Sequence, residues 1–298
     1  MTSTPTHPSI DSEPIYEFDE ALKIEFKESV DDGQISIYTG EISNAWRFRD
    51  VPHGGYLISL LLKALMHHFR ETNPHPVQLT AHFLRRSHVG PFKIKIVNLK
   101  VGRIYSIANA ELMQRTNLSD ESSEYITCIT LTSIFGDLSS EVGLSPPFYD
   151  TPKITPKYLC VPYKYDPEYQ DIPNLLPHVN ALYDDNFYKK KMSECSNWVS
   201  FIDGREMDFL SMGLFSDLYF PSPVTNYLGK KIFNYWLATL TLDIQFKHVP
   251  KGKWIGGTFR SKFLKNGRNE VDGELYDEEG NLLCISRQMY VIQDPAKL

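Results

Sequence analysis

A chain of 298 residues, 42% hydrophobic and 23% charged, has the makeup of an ordinary globular protein and is not disordered as a whole. Its 31 Lys and Arg against 37 Asp and Glu leave a formal net charge of -6, the wrong sign for a protein whose main task is to coat nucleic acid or an anionic membrane. The four cysteines, Cys128, Cys160, Cys195 and Cys284, are scattered and form no CxxC pair, which argues against a zinc site or a disulfide scaffold and for a reducing compartment.

In chain order, residues 1–14 are polar and rich in Ser, Thr and Pro, and read as a disordered tail without a signal or transit pattern. Residues 21–28 and 34–40 read as strands. Pro52-His53-Gly54-Gly55 then opens a helix over about 56–70. Leu57, Ile58, Leu60, Leu61, Leu62, Ala64, Leu65 and Met66 cover most of its circumference, as expected of a helix wrapped by a sheet. It is too short to span a bilayer. Residues 77–85, 92–101, 104–114 and 125–135 follow as long strands, with Gly102-Arg103 at a hairpin.

Between Leu144 and His178, eight prolines and five tyrosines exclude a regular helix or central strand and mark a linker that packs along a surface. The second half then repeats the first: a strand over 198–202, a helix over 207–219, and strands over 237–246, 253–263, 270–276 and 282–292. Leu99–Arg103 corresponds to Leu264–Arg268, and Cys128-Ile129-Thr130 to Cys284-Ile285-Ser286. A helix followed twice by an antiparallel meander predicts an α+β fold, a double hotdog in which each sheet wraps one central helix. The expected division is a tail (1–14), an N-terminal hotdog (15–137), a linker (138–195), a C-terminal hotdog (196–293) and a short tail (294–298).

Few residues offer chemistry. Gly54-Gly55 either brings backbone N–H groups of a helix start to a carbonyl or phosphate, or makes a tight turn. His53 and Tyr56 flank that pair. Asp217 is the one Asp, Glu, Lys, Arg or His between Phe209 and Gly229; it suits a general base of raised pKa, or it simply reaches solvent at a helix end. Gln288 lies mid-strand and is either a satisfied core amide or an orienting hydrogen-bonder. Strict alternation puts Thr239 with Thr241, Asp243 and Gln245 on a face that reads as solvated. No GxSxG elbow, P-loop or dinucleotide fingerprint is present.

The order of Trp46, Pro52-His53-Gly54-Gly55-Tyr56, His82-Phe83-Leu84-Arg85, Phe215-Ser216-Asp217, Trp236–Leu240, Asp272–Leu275 and Ser286-Arg287-Gln288 resembles the type II acyl-CoA thioesterases, the double-hotdog family of bacteria and fungi. The resemblance runs from about residue 15 to 293. It implies hydrolysis of an acyl-CoA without metal or other cofactor, through a water positioned by an Asp, a Thr and a Gln. These fall on Asp217, Thr239 and Gln288, with His53, Gly54, Gly55 and Tyr56 beside the substrate. It overturns the solvated reading of Thr239. It also implies a dimer or larger assembly. Two alternatives stay open: a non-catalytic acyl-CoA binder, and a hotdog enoyl-CoA hydratase using Asp50 and His53. Ala296-Lys297-Leu298 resembles the Ser-Lys-Leu address, so a peroxisomal location through an import receptor is expected, with the cytoplasm as alternative. Arg47, Arg49, Arg85, Arg86 and Arg103 are candidates for the CoA phosphates.

Overall fold

The computed structural model describes residues 14–145, 154–164 and 174–294. In the first half, β1 (Ile24–Val30) and β2 (Ile35–Ile42) precede the helix α1 (Gly54–Phe69), and β3 (His75–Phe83), β4 (Gly90–Lys100), β5 (Ser106–Arg115) and β6 (Tyr125–Gly136) follow it. The second half has the same order: β7 (Val179–Tyr183), β8 (Glu194–Phe201), the helix α2 (Phe209–Phe215), then β9 (Trp236–Phe246), β10 (Ile255–Arg260), β11 (Arg268–Tyr276) and β12 (Leu282–Gln293).

All these strands join one antiparallel sheet in the order β1-β2-β4-β5-β6-β3-β9-β12-β11-β10-β8-β7. Outward from the β3–β9 seam, each strand of one half meets its counterpart at the same place in the other. The seam strands pair antiparallel, with Thr80 opposite Asp243 and Leu79 opposite Ile244. The internal repeat is thus a pseudo-twofold, and the chain is an α+β double hotdog.

Period-two alternation gives each strand a buried face: in β5, Ser106, Ala108, Ala110, Leu112 and Gln114 point inward. They meet α1, where Leu57, Ile58, Leu60, Leu61, Leu62, Ala64 and Leu65 are all buried. Burial of each such leucine or isoleucine contributes roughly 1.5–3 kcal/mol. α1 and α2 touch through small groups. Ser59 Oγ lies 2.9 Å from Gly55 O and 2.8 Å from Leu210 O, a hydroxyl shared between the helices. A Cβ on Gly213 would sit 2.9 Å from that same oxygen.

Three local expectations change. The first strand begins at Ile24, after a short helix (Glu17–Ala21) whose Phe18 and Ala21 are buried. The helix expected over 207–219 spans Phe209–Phe215, started by a capping box in which the Asp208 carboxylate accepts from Ser211 N. β7 lies inside the stretch read as linker and pairs along its length with β8; Pro177 and the short run of alternation concealed it.

Candidate active site

The site forms where the start of α1 meets the end of α2. α1 begins without a side-chain cap, so its first N–H groups have no partner inside the helix. Gly55 N–H donates instead to Asp217 Oδ2 at 2.7 Å. Asp217 lies two residues past the last residue of α2. The approach needs glycine: a Cβ on Gly54 would sit 2.6 Å from Asp217 Oδ2, and one on Gly55 2.5 Å from Leu214 O.

Asp217 Oδ1 accepts a hydrogen bond from Gln288 Nε2. The same nitrogen donates to Thr239 Oγ1 at 2.9 Å, and Gln288 Oε1 accepts from the Tyr219 hydroxyl at 2.7 Å. Both amide donors and the amide oxygen are therefore engaged, and the Gln288 side chain is fixed in one orientation. Tyr219 in turn stacks on Phe259, with ring centroids 4.3 Å apart.

Thr239 reaches this network because β9 is bulged. Thr239 pairs with Tyr290 and Thr241 with Met289, leaving Leu240 as the extra residue. The bulge reverses the alternation, so Thr239 shares a face with Gln288 and Tyr290 while Thr241 and Asp243 stay on the outer face. Strict period-two reading of β9 fails here for that reason.

The Asp217 side chain is 7% exposed. Burial raises its pKa above the usual carboxylate value, opposed in order by His53, the Gly55 N–H and Gln288. His53 Nε2 lies 3.8 Å from Asp217 Oδ2. Burial lowers the His53 pKa and favours the neutral ring, with Asp217 opposing.

Beside these groups lies a cavity of about 220 Å³. Phe48, Tyr163, Phe220, Ile232, Trp236 and Leu237 supply apolar wall, and His53, Gly54, Asp217, Tyr219, Thr239 and Gln288 supply polar groups. An apolar space with a few convergent polar groups is the form of a small-molecule site.

Residues 42–136 match the acyl-CoA thioesterase N-terminal domain and residues 160–292 the acyl-CoA thioesterase C-terminal domain. The chain belongs to the acyl-CoA thioesterase family. Among solved structures, a hotdog-fold protein of unknown function from Alicyclobacillus acidocaldarius is similar at TM-score 0.78 and 19% identity, over 95% of this chain and 100% of that one. An acyl-CoA thioesterase II from Mycobacterium marinum is similar at TM-score 0.67 and 16% identity, over 94% and 100%. A curated relative, the ustilagic acid biosynthesis cluster protein orf2 of Mycosarcoma maydis, is 30% identical over 160 residues, 48% of this chain. The match spans 40% of that relative's length.

Within this thioesterase fold, Asp217, Thr239 and Gln288 converge, and Gly54, Gly55 and His53 join them from the other half. The second half therefore does not hold the polar cluster alone, although the expected Asp, Thr and Gln all belong to it. Tyr56, expected beside the substrate, is instead wholly buried: its hydroxyl donates to Ala21 O at 2.7 Å and accepts from Ser43 N at 2.9 Å. It is not among the residues lining the cavity. Sequence reasoning missed Tyr219 as a partner of Gln288; its place two residues after Asp217 at an apolar helix end was the available signal. No helix among the described residues is long and apolar enough to cross a membrane.

Proposed function

We propose that the protein hydrolyses a fatty acyl-CoA to free acid and CoA through a water held by Asp217 and Thr239. The supporting observation is the convergence of these two side chains on Gln288, with the Gly55 N–H on the carboxylate, beside an apolar cavity. Asp217, in its ionised form, takes a proton from the water as its oxygen attacks the thioester carbonyl carbon. Gln288 fixes both partners of that water. We assign the Gly54 N–H, first in α1 and on the cavity wall, as the donor to the oxyanion that forms. Collapse of the tetrahedral intermediate breaks the C–S bond, and the proton held by Asp217 passes to the CoA thiolate. Atoms balance as acyl-CoA plus water giving acid plus CoA. A thiol-reactive dye reads the product: the expected result is CoA release from a panel of acyl-CoAs, lost in Asp217→Asn. Tight acyl-CoA binding without release would identify a non-catalytic binder.

The His53–Asp217 pair favours a second reading. The hydratase alternative called for Asp50 and His53, but the Asp50 side chain is 63% exposed and bound to Arg86 at 2.6 Å. The buried carboxylate facing His53 is Asp217, and such a pair suits proton transfer to and from a 2-enoyl thioester. Loss of the 2-enoyl absorbance without thiol release would select this chemistry.

Ala296-Lys297-Leu298, the tripeptide that resembles a peroxisomal address, lies outside the described residues. We propose that it directs import; a fluorescent fusion carrying the chain should lose its punctate location when Leu298 is deleted.

A further inference from the structure

Five arginines were candidates for the phosphates of CoA, and the fold separates them. Arg103 lies beyond β4, next to Ile104, whose carbonyl accepts from Asn73 just past the far end of α1. Arg85 is tied to Thr127 O at 2.9 Å and Arg47 to Asn44 O at 3.4 Å. Neither lines the cavity. Arg49 does line it, and its Nη1 donates to Tyr235 O at 3.3 Å. Arg86 stacks over Trp236, which also lines the cavity, with the guanidinium 5.8 Å from the ring centroid.

The backbone marks Arg49 further. Arg47 pairs with Pro52 and Phe48 with Val51, so Arg49-Asp50 is the two-residue loop of a tight hairpin. Arg49 adopts φ 57, the left-handed region that such loops reserve for glycine or asparagine. The hairpin thus holds Arg49 at the edge of the cavity in a backbone conformation that costs an arginine free energy. The rim is open to solvent: Leu237 is 39% exposed, and the Arg86 side chain is 47% exposed. Asp50, in the same loop as Arg49, holds the Arg86 guanidinium through its carboxylate at 2.6 Å and its carbonyl at 3.1 Å.

We propose that Arg49 and Arg86 form the subsite for the phosphates of the CoA portion of the thioester. This rests on the acyl-CoA reading above and deepens it. Two guanidiniums at one rim match phosphate oxygens, and on binding Arg86 shares its charge between Asp50 and the ligand.

The test uses the full-length protein, Arg49→Gly and Arg86→Gln. Calorimetry with free CoA measures the subsite independently of turnover; kinetics with an acyl-CoA and the matched acyl-pantetheine, which lacks phosphates, separates carrier from acyl recognition. The expected result is CoA binding weakened roughly fivefold or more in each variant, as for one partly screened charged contact. KM should rise for acyl-CoA in both variants, and in Arg86→Gln, which changes no residue of the cavity lining, kcat and the acyl-pantetheine KM should stay unchanged. Arg49→Gly relieves the φ 57 strain and loses the bond to Tyr235 O, two effects of similar size and opposite sign, so the thermal midpoint should shift little. Wild type that binds no CoA, including one that accepts only a carrier-protein thioester, overturns the subsite. So do equal losses on both thioesters, or unchanged CoA binding in both variants. If CoA binds through these arginines and no thioester is hydrolysed, the subsite stands and the hydrolase reading fails.

Discussion

Gly55 of the first half donates its backbone N–H to Asp217 Oδ2 of the second at 2.7 Å. This one bond joins the start of one central helix to the carboxylate just past the end of the other, so the site exists only when the two halves are assembled. The helix start favours negative charge where burial disfavours it.

Gly55→Ala tests that approach. Its new Cβ would meet Leu214 O at 2.5 Å and Gly213 O at 2.9 Å, both backbone atoms that cannot swing aside. The helices must separate, with a stability loss of about 1–3 kcal/mol and loss of turnover. Thermal melts and the thiol-release assay read the two effects.

The pH dependence follows from Asp217. A general base must be ionised, and burial raises this carboxyl above its usual range, so kcat/KM should fall with acid at a pH above the ordinary Asp value of about 3.9. A protonated His53 lowers the Asp217 pKa, so wherever the ring carries charge His53→Gln should move that limb to higher pH. Stability carries the opposite sign to a salt-bridged Asp. With its folded pKa raised, the Asp217 contribution is present below about 3.9 and lost as pH rises through the folded value. Asp217→Asn should therefore gain stability relative to wild type as pH increases, measured by thermal melts across that window.

Tyr219→Phe removes the hydroxyl that holds Gln288 Oε1 and leaves the ring stacked on Phe259. The amide then loses one constraint of about 1–1.5 kcal/mol, and kcat should fall roughly tenfold. Gln288→Ala, which releases Asp217 and Thr239 together, should cost more. A smaller effect than Tyr219→Phe would contradict the assigned order of dependence.

How far the residues announced this arrangement differs from element to element. The apolar circumference of α1 required a surrounding sheet, and the repeated Cys-Ile-Thr and Cys-Ile-Ser strands marked equivalent places, so the two wrapped helices were legible. Gln288 was legible too, because a polar residue mid-strand on a buried face needs partners. Thr239 was legible only through the family resemblance, since one bulged residue, Leu240, reverses the side to which it points, and alternation alone carries no sign of a bulge. Tyr56 misled for a related reason. Its neighbours Gly54 and Gly55 face Asp217, but the helical turn of about 100° per residue carries Tyr56 round toward Ala21 and Ser43. The link between Gly55 and Asp217 joins residues 162 apart, and only the packing of α1 on α2 brings them together.

Whether Asp217 drives thioester hydrolysis from within the Gly55, Gln288 and Thr239 network is tested most directly by thiol release from acyl-CoA in wild type and Asp217→Asn. Wild type should release one CoA thiol for each acid formed, and the variant should be slower by about 10²- to 10⁴-fold while staying folded. A variant as fast as wild type, or wild type that releases no thiol from any chain length, would contradict it.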